Sequence, residues 1–170
     1  MTTDTITLTV PDPDEVSARF TAECDRVRIM LPDAEIQHIG STAVRGFPAK
    51  DVVDVLIGVP ATAVAAAART LAGAGYDLEG ERTGHAWLSA PDRTARRCVL
   101  HVVVRDGSQW RDRIAFRDLL RVDGAARSAY LTTKRAAASG TSDWGVYTAA
   151  KADTVVRLLA EARRRNTGDT

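Results

Sequence analysis

Apolar and polar positions change period several times along the 170-residue chain, and each change marks an element. Residues 6–10, Ile-Thr-Leu-Thr-Val, alternate as a short edge strand or an extended arm would. Val16, Phe20, Cys24, Val27 and Leu31 then recur at helical spacing. A start signal precedes them: Asp12 as cap, Pro13 at the first helical position and Glu15 reaching back. Pro32 and Asp33 end that helix. Glu35–Ile39 and Val52–Val59 read as strands, residues 62–72 as an Ala-rich helix stopped by Gly73 and Gly75, and Tyr76–Glu81 with His85–Ala90 as a hairpin. Val99–Val104 is a further strand; Ser108 and Asp123 are predicted to cap two helices. Ser139–Ser142 is a small-residue loop, and a last helix runs from about Asp143 to Arg165. This order predicts an α+β (mixed α/β) chain forming one domain over residues 1–170, with a mixed-sheet core over about 12–106 and C-terminal helices over about 107–165.

One carboxylate interrupts the second strand. Asp54 lies within the apolar run 52–59, where an unpaired charge costs several kcal/mol, by order of magnitude, so it needs a partner, solvent or a ligand. Residues at i±2 share its face of the strand, and these are Val52 and Leu56, so no second acid flanks it. Asp51 faces the other way, and Glu79 or Glu81 could complete a pair only from another strand. Upstream, Gly40-Ser41-Thr42 is either a tight turn whose hydroxyls cap backbone amides or a place where backbone and hydroxyls meet phosphate oxygens.

The run His38 to Val44, with Gly46, Ala49-Lys50 and Asp54, resembles the GrpB family of the nucleotidyltransferase fold superfamily. Arg45 and Asp51 stand where that family usually carries Pro. Further similarity lies at Gly75-Tyr76, Gly80-Glu81, Ala115–Arg121 and Tyr147–Lys151, so the resemblance spans nearly the whole chain. It implies a nucleotidyltransferase-like sheet with a C-terminal helical extension. It also implies a phosphate or nucleotide site at Gly40, Ser41, Thr42, Lys50 and Lys151, with Asp54 as catalytic residue and holder of Mg²⁺. Because some relatives are joined to dephospho-coenzyme A kinase, the alternative implication is a non-catalytic accessory domain near coenzyme A metabolism, with a protein partner.

Other residues have two readings each. His101 is a base or phosphate donor, or a satisfied core histidine; the same holds for His38, and His85 is expected to be exposed on the hairpin. Tyr147 and Lys151 share one helical face, as do Tyr130 and Lys134, by which helix packing with a snorkelling lysine is meant in the bland case. Arg117 is a candidate for the same cleft.

Composition narrows the classes. A formal net charge of +1 gives no general attraction to nucleic acid or membrane, and Arg163-Arg164-Arg165 reads as a solvated helix end. No apolar run reaches the roughly 18 residues of a membrane span, and Met1–Val10 lacks a signal-peptide pattern, which points to the cytoplasm. Cys24 and Cys98 are isolated and read as buried thiols. Of 23 basic residues only Lys50, Lys134 and Lys151 are lysines, a scarcity that marks positions wanting a compact charge.

Overall fold

The computed structural model describes residues 6–167. Helix α1 (Pro13–Met30) begins where Asp12 accepts hydrogen bonds from the amides of Asp14 and Glu15. Glu15 does not reach back; its carboxylate pairs with Arg19 one turn on. Then follow β1 (Glu35–Ile39), a 3₁₀ turn (Ser41–Ala43), β2 (Val53–Val59), α2 (Val64–Gly73), β3 (Asp77–Arg82), β4 (His85–Ala90) and β5 (Cys98–Val104). Helices α3 (Ser108–Val122), α4 (Gly124–Gly140) and α5 (Trp144–Thr167) complete the chain. Gly107 rather than Ser108 takes the cap position of α3, whereas Asp123 caps α4 through the Ala126 amide. The expected loop from Ser139 is shorter, because α4 continues through Gly140.

The five strands form one mixed sheet in the order β1-β2-β5-β4-β3. Only β2 and β5 run parallel; the other neighbours are antiparallel. Strand alternation then sorts the residues. Val53, Val55, Ile57, Leu100, Val102, Ala86 and Leu88 face α1 and α2, where Val27, Ala68 and Leu71 close the main core. On the other face Ile39, Leu56 and Val103 pack under Trp110 of α3. Gly58 has no side chain because the Trp110 ring would lie 2.7 Å from its Cβ.

Two smaller clusters fix the C-terminal helices over this second face. Val44 and Phe47 of the β1–β2 loop meet Leu120, Tyr130 and Leu158. Ile6 and Leu8 of the N-terminal arm pack with Ala137, Ala138 and Tyr147. The arm is no strand of the sheet; a single bridge joins Thr9 to Ala49, through bonds of 2.9 and 2.8 Å. That bridge anchors the residue before Lys50. The terminal arginines are not simply solvated either, since Arg163 pairs with Asp112 and Arg165 with Asp123 at 2.8 Å, tying α5 to both ends of α3. Cys24 and Cys98 are buried free thiols, and among the described residues no helix is long and apolar enough to cross a membrane.

Candidate functional site

Asp54 opens onto the second face of the sheet, opposite Ile39 of β1 and Val99 of β5. Its side chain keeps 30% of its exposure, so the carboxylate is reachable although β2 is otherwise buried. Gly40 makes room for it. At φ +73° and ψ −172°, Gly40 has a conformation that L side chains rarely adopt, and a Cβ there would lie 2.3 Å from Asp54 Oδ2. The turn and the carboxylate are therefore built against each other.

The nearest basic ring is His101, whose Nε2 lies 3.6 Å from Asp54 Oδ1. His101 Nδ1 is 3.2 Å from His85 Nε2. With Asp54 ionised, the consistent tautomers put a proton on His101 Nε2, facing the carboxylate, and one on His85 Nε2, donating to His101 Nδ1. His85 is thus 4% exposed, not an exposed hairpin residue, because its strand position faces the covered side. Burial pushes its imidazole down to about 3, so it is neutral. Burial and Arg113 likewise lower His101. Burial alone would raise Asp54, but His101, Lys151 and Arg113 together bring its carboxyl below the ordinary value, leaving it ionised at neutral pH.

All three lysines lie within electrostatic reach of this carboxylate, though none forms an ion pair with it. Lys134, only 2% exposed, donates to Ser41 Oγ and to the Pro48 carbonyl, each at 2.7 Å. Lys50 Nζ lies 3.1 Å from the Trp144 ring centroid and 3.8 Å from that of Tyr147, with no hydrogen-bond acceptor. Lys151 Nζ is 4.0 Å from the same Tyr147 ring. Burial and then repulsion by Lys151 lower both Lys50 and Lys134 to about 7; burial lowers Lys151 to about 8, with Asp54 opposing each shift. Arg113 of α3 adds a fourth buried cation near Asp54, its Nε without a partner.

Several sequence candidates lie elsewhere. His38 projects to the α1 side, stacked on Phe20 at 4.6 Å, with Nε2 3.0 Å from Thr42 Oγ1. Thr42 also donates to the Val52 carbonyl, so its hydroxyl is used within the loop. Arg117 staples α3 to β1 by donating to Gln37 Oε1 and the His38 carbonyl. Glu81 is exposed and opposite Ala86, on the side facing away from Asp54. Glu79 does lie on the Asp54 side, but Arg96 holds it in a bidentate pair at 2.5–2.6 Å. Among the described residues no three His, Cys, Asp or Glu side chains gather as a metal site would require.

The residues alone read Lys134 mainly as helix packing beside Tyr130 and gave no site role to Arg113 or Trp144. For Lys134 a signal existed, the same lysine scarcity that marked Lys50 and Lys151. For Arg113, one arginine among 20, there was none. Two surface hollows, of about 350 Å³ beside α2 and the β3–β4 hairpin and about 320 Å³ between α4 and α5, contain neither Asp54 nor any of the lysines. What distinguishes the Asp54 face is its concentration of charge.

Known proteins extend this picture. The model of the family described as GrpB protein matches residues 5–161. A UPF0157 protein of Deinococcus radiodurans is 46% identical, over 94% of this chain and 84% of its own. One from Streptomyces coelicolor is 33% identical, over 76% and 69%. The crystal structure of conserved protein GrpB from Enterococcus faecalis superposes with TM-score 0.77 at 25% identity, covering 94% of this chain and 98% of that one. The Cid1 poly(U) polymerase in a MgGTP-bound crystal structure is similar over 75% of this chain and 43% of its own, with TM-score 0.52 and 13% identity, a likeness of fold alone. With its sheet of nucleotidyltransferase type and a family match over nearly its whole length, this chain belongs to the GrpB family.

Proposed function

We propose that the Asp54 face binds a nucleotide or another phosphate-bearing small molecule, and that Asp54 is the group that would accept a proton from an acceptor hydroxyl if the phosphoryl or nucleotidyl group is transferred. The observation that carries this reading is that Lys134 donates to Ser41, Lys50 and Lys151 both lie against Tyr147, and all three feel Asp54, in a chain with no other lysine. Ser41 accepts from Lys134, so its own O–H is left to donate to a phosphate oxygen. Lys134 and Lys151 supply charge-assisted donors around the same position. An ionised Asp54 beside a neutral His101 is in the protonation state a base requires.

A second reading, a binding or accessory domain without turnover, is favoured by one specific feature: the same-face neighbours of Asp54 are Val52 and Leu56, so the strand carries a single acid. Calorimetric titration with ATP, UTP and pyrophosphate tests the binding itself. Wild type binds at least one of them, and Lys134→Met weakens that binding by at least tenfold, about 1.4 kcal/mol. No binding by wild type, or equal binding by a folded Lys134→Met, refutes the site. Phosphorus NMR of the bound mixture with added alcohol acceptors then separates the readings. Product formation that disappears in Asp54→Asn supports transfer, and persistence of the starting compound supports the accessory domain.

A further inference from the structure

The charges on the Asp54 face do not balance. Among the described residues of this face, Asp54 is the carboxylate held by no arginine, with the neutral His101 at 3.6 Å, whereas Glu79 is already committed to Arg96. Around that carboxylate lie Ile39, Leu56 and Val99, all apolar. Against it stand Lys50, Lys134, Lys151 and Arg113. Lys134 has two neutral acceptors, the Ser41 hydroxyl and the Pro48 carbonyl, and Lys50 Nζ is enclosed by Trp144 and Tyr147 with none.

Ammonium groups held this closely are costly unless something of opposite sign completes them. A divalent cation makes the imbalance worse. Mg²⁺ can use one carboxylate together with substrate phosphates and waters, but here that carboxylate already faces the His101 imidazole at 3.6 Å and feels Lys151 and Arg113, so the ion would enter a field that is already positive. A polyanion has the reverse effect: each phosphate oxygen gives an ammonium the acceptor it lacks and weakens the repulsion among the three.

We infer that this site takes a polyphosphate-bearing ligand without a divalent metal held by the protein, with the ammonium groups of Lys50, Lys134 and Lys151 standing where a carboxylate-bound cation would otherwise neutralise the phosphates. The inference rests on the phosphate-binding reading above and names how that site meets its ligand. The lowered lysines agree with it, since all three are lowered by burial and Lys50 and Lys134 also by repulsion from Lys151, penalties an anion relieves. The charged and titratable groups facing them are Asp54 from β2, Arg96 from the β4–β5 connection, and Tyr147 from α5. Trp144 completes the wall around Lys50 and also lies 4.5 Å from the Arg96 guanidinium. Ser41 contributes a hydroxyl beside Lys134, whose ammonium donates to its oxygen.

The test is calorimetry on the full chain at pH 7 with pyrophosphate and with ATP, each in EDTA and in excess Mg²⁺. The expected result is binding in EDTA that Mg²⁺ leaves unchanged or weakens, because the metal competes with the lysines for the same oxygens. Lys50→Met weakens the metal-free binding by about tenfold or more, and Asp54→Asn tightens it by removing the charge that repels phosphate. Binding strengthened beyond about threefold by Mg²⁺, or lost in Asp54→Asn, overturns the inference while leaving the phosphate site standing. Absence of binding in both conditions overturns the phosphate site as well. The wild-type comparison needs no variant, so a poorly folding Lys50→Met does not decide the outcome.

Discussion

Replacing Gly40 by alanine tests whether the turn and the carboxylate are one unit. Two costs add. The backbone conformation, φ +73° and ψ −172°, is one that only glycine adopts freely, and forcing a side chain into it costs about 1–3 kcal/mol. The new Cβ would also meet Asp54 Oδ2 at 2.3 Å and Cγ at 3.0 Å, so either the carboxylate turns away or the loop shifts, at a further ~1–3 kcal/mol. The expected loss is about 2–6 kcal/mol, or roughly 4–24 °C in Tm for a chain of this size. Urea unfolding followed by far-UV circular dichroism, extrapolated to water, measures it. Gly46→Ala is the control: φ is again +73°, but nothing lies within 4 Å of its Cβ, so only the backbone cost remains. The decisive comparison is a double-mutant cycle with Asp54→Ala, which removes Oδ2 and Cγ. In that background Gly40→Ala should cost at least ~1 kcal/mol less. Equal costs in both backgrounds would show that the close approach is not what makes glycine necessary.

Two further outcomes follow from the same structure. In the ligand-free chain Lys50 and Lys134 are lowered to about 7 and Lys151 to about 8, against 10.5 ordinarily, so the unfolded chain binds more protons above pH 7. Stability should therefore rise from pH 7 to about 8, where unfolded thiols, which ionise around 8.5, still keep most of their protons, and Lys134→Met should flatten the rise; a falling urea midpoint over that interval would contradict the assignment. Arg117→Met removes the staple between α3 and β1 and leaves Gln37 Oε1 and the His38 carbonyl short of donors, at about 2–3 kcal/mol. Its phosphate affinity should match wild type; a folded Arg117→Met that no longer binds would return Arg117 to the site.

Much of this architecture is legible along the chain because local rules govern it. Strand periods placed β1 and β2 to within a residue, and Asp12-Pro13 placed the start of α1, since capping and alternation depend on neighbours in sequence. Local rules also failed in identifiable ways. Glu15 had Arg19 within one turn and took that partner instead of reaching back. His85 looked exposed because it borders a turn, yet its register opposite Val103 puts it beneath the covered face. Arg117 is spent on β1, some eighty positions earlier.

For the site, the residues alone determined that Asp54 would need an explanation, that no acid flanks it on its own strand, and that lysine is rare enough to be informative. What only the tertiary structure decided is where those lysines meet. Lys50 comes from the β1–β2 loop, Lys134 from α4 and Lys151 from α5, and their common position depends on α4 and α5 closing over the second face through Phe47, Tyr130, Leu158 and Tyr147. Helical spacing states which residues share a face of one helix. Which sheet surface that face covers is settled by packing between distant segments, and that packing brought three scattered cations to one face of the sheet.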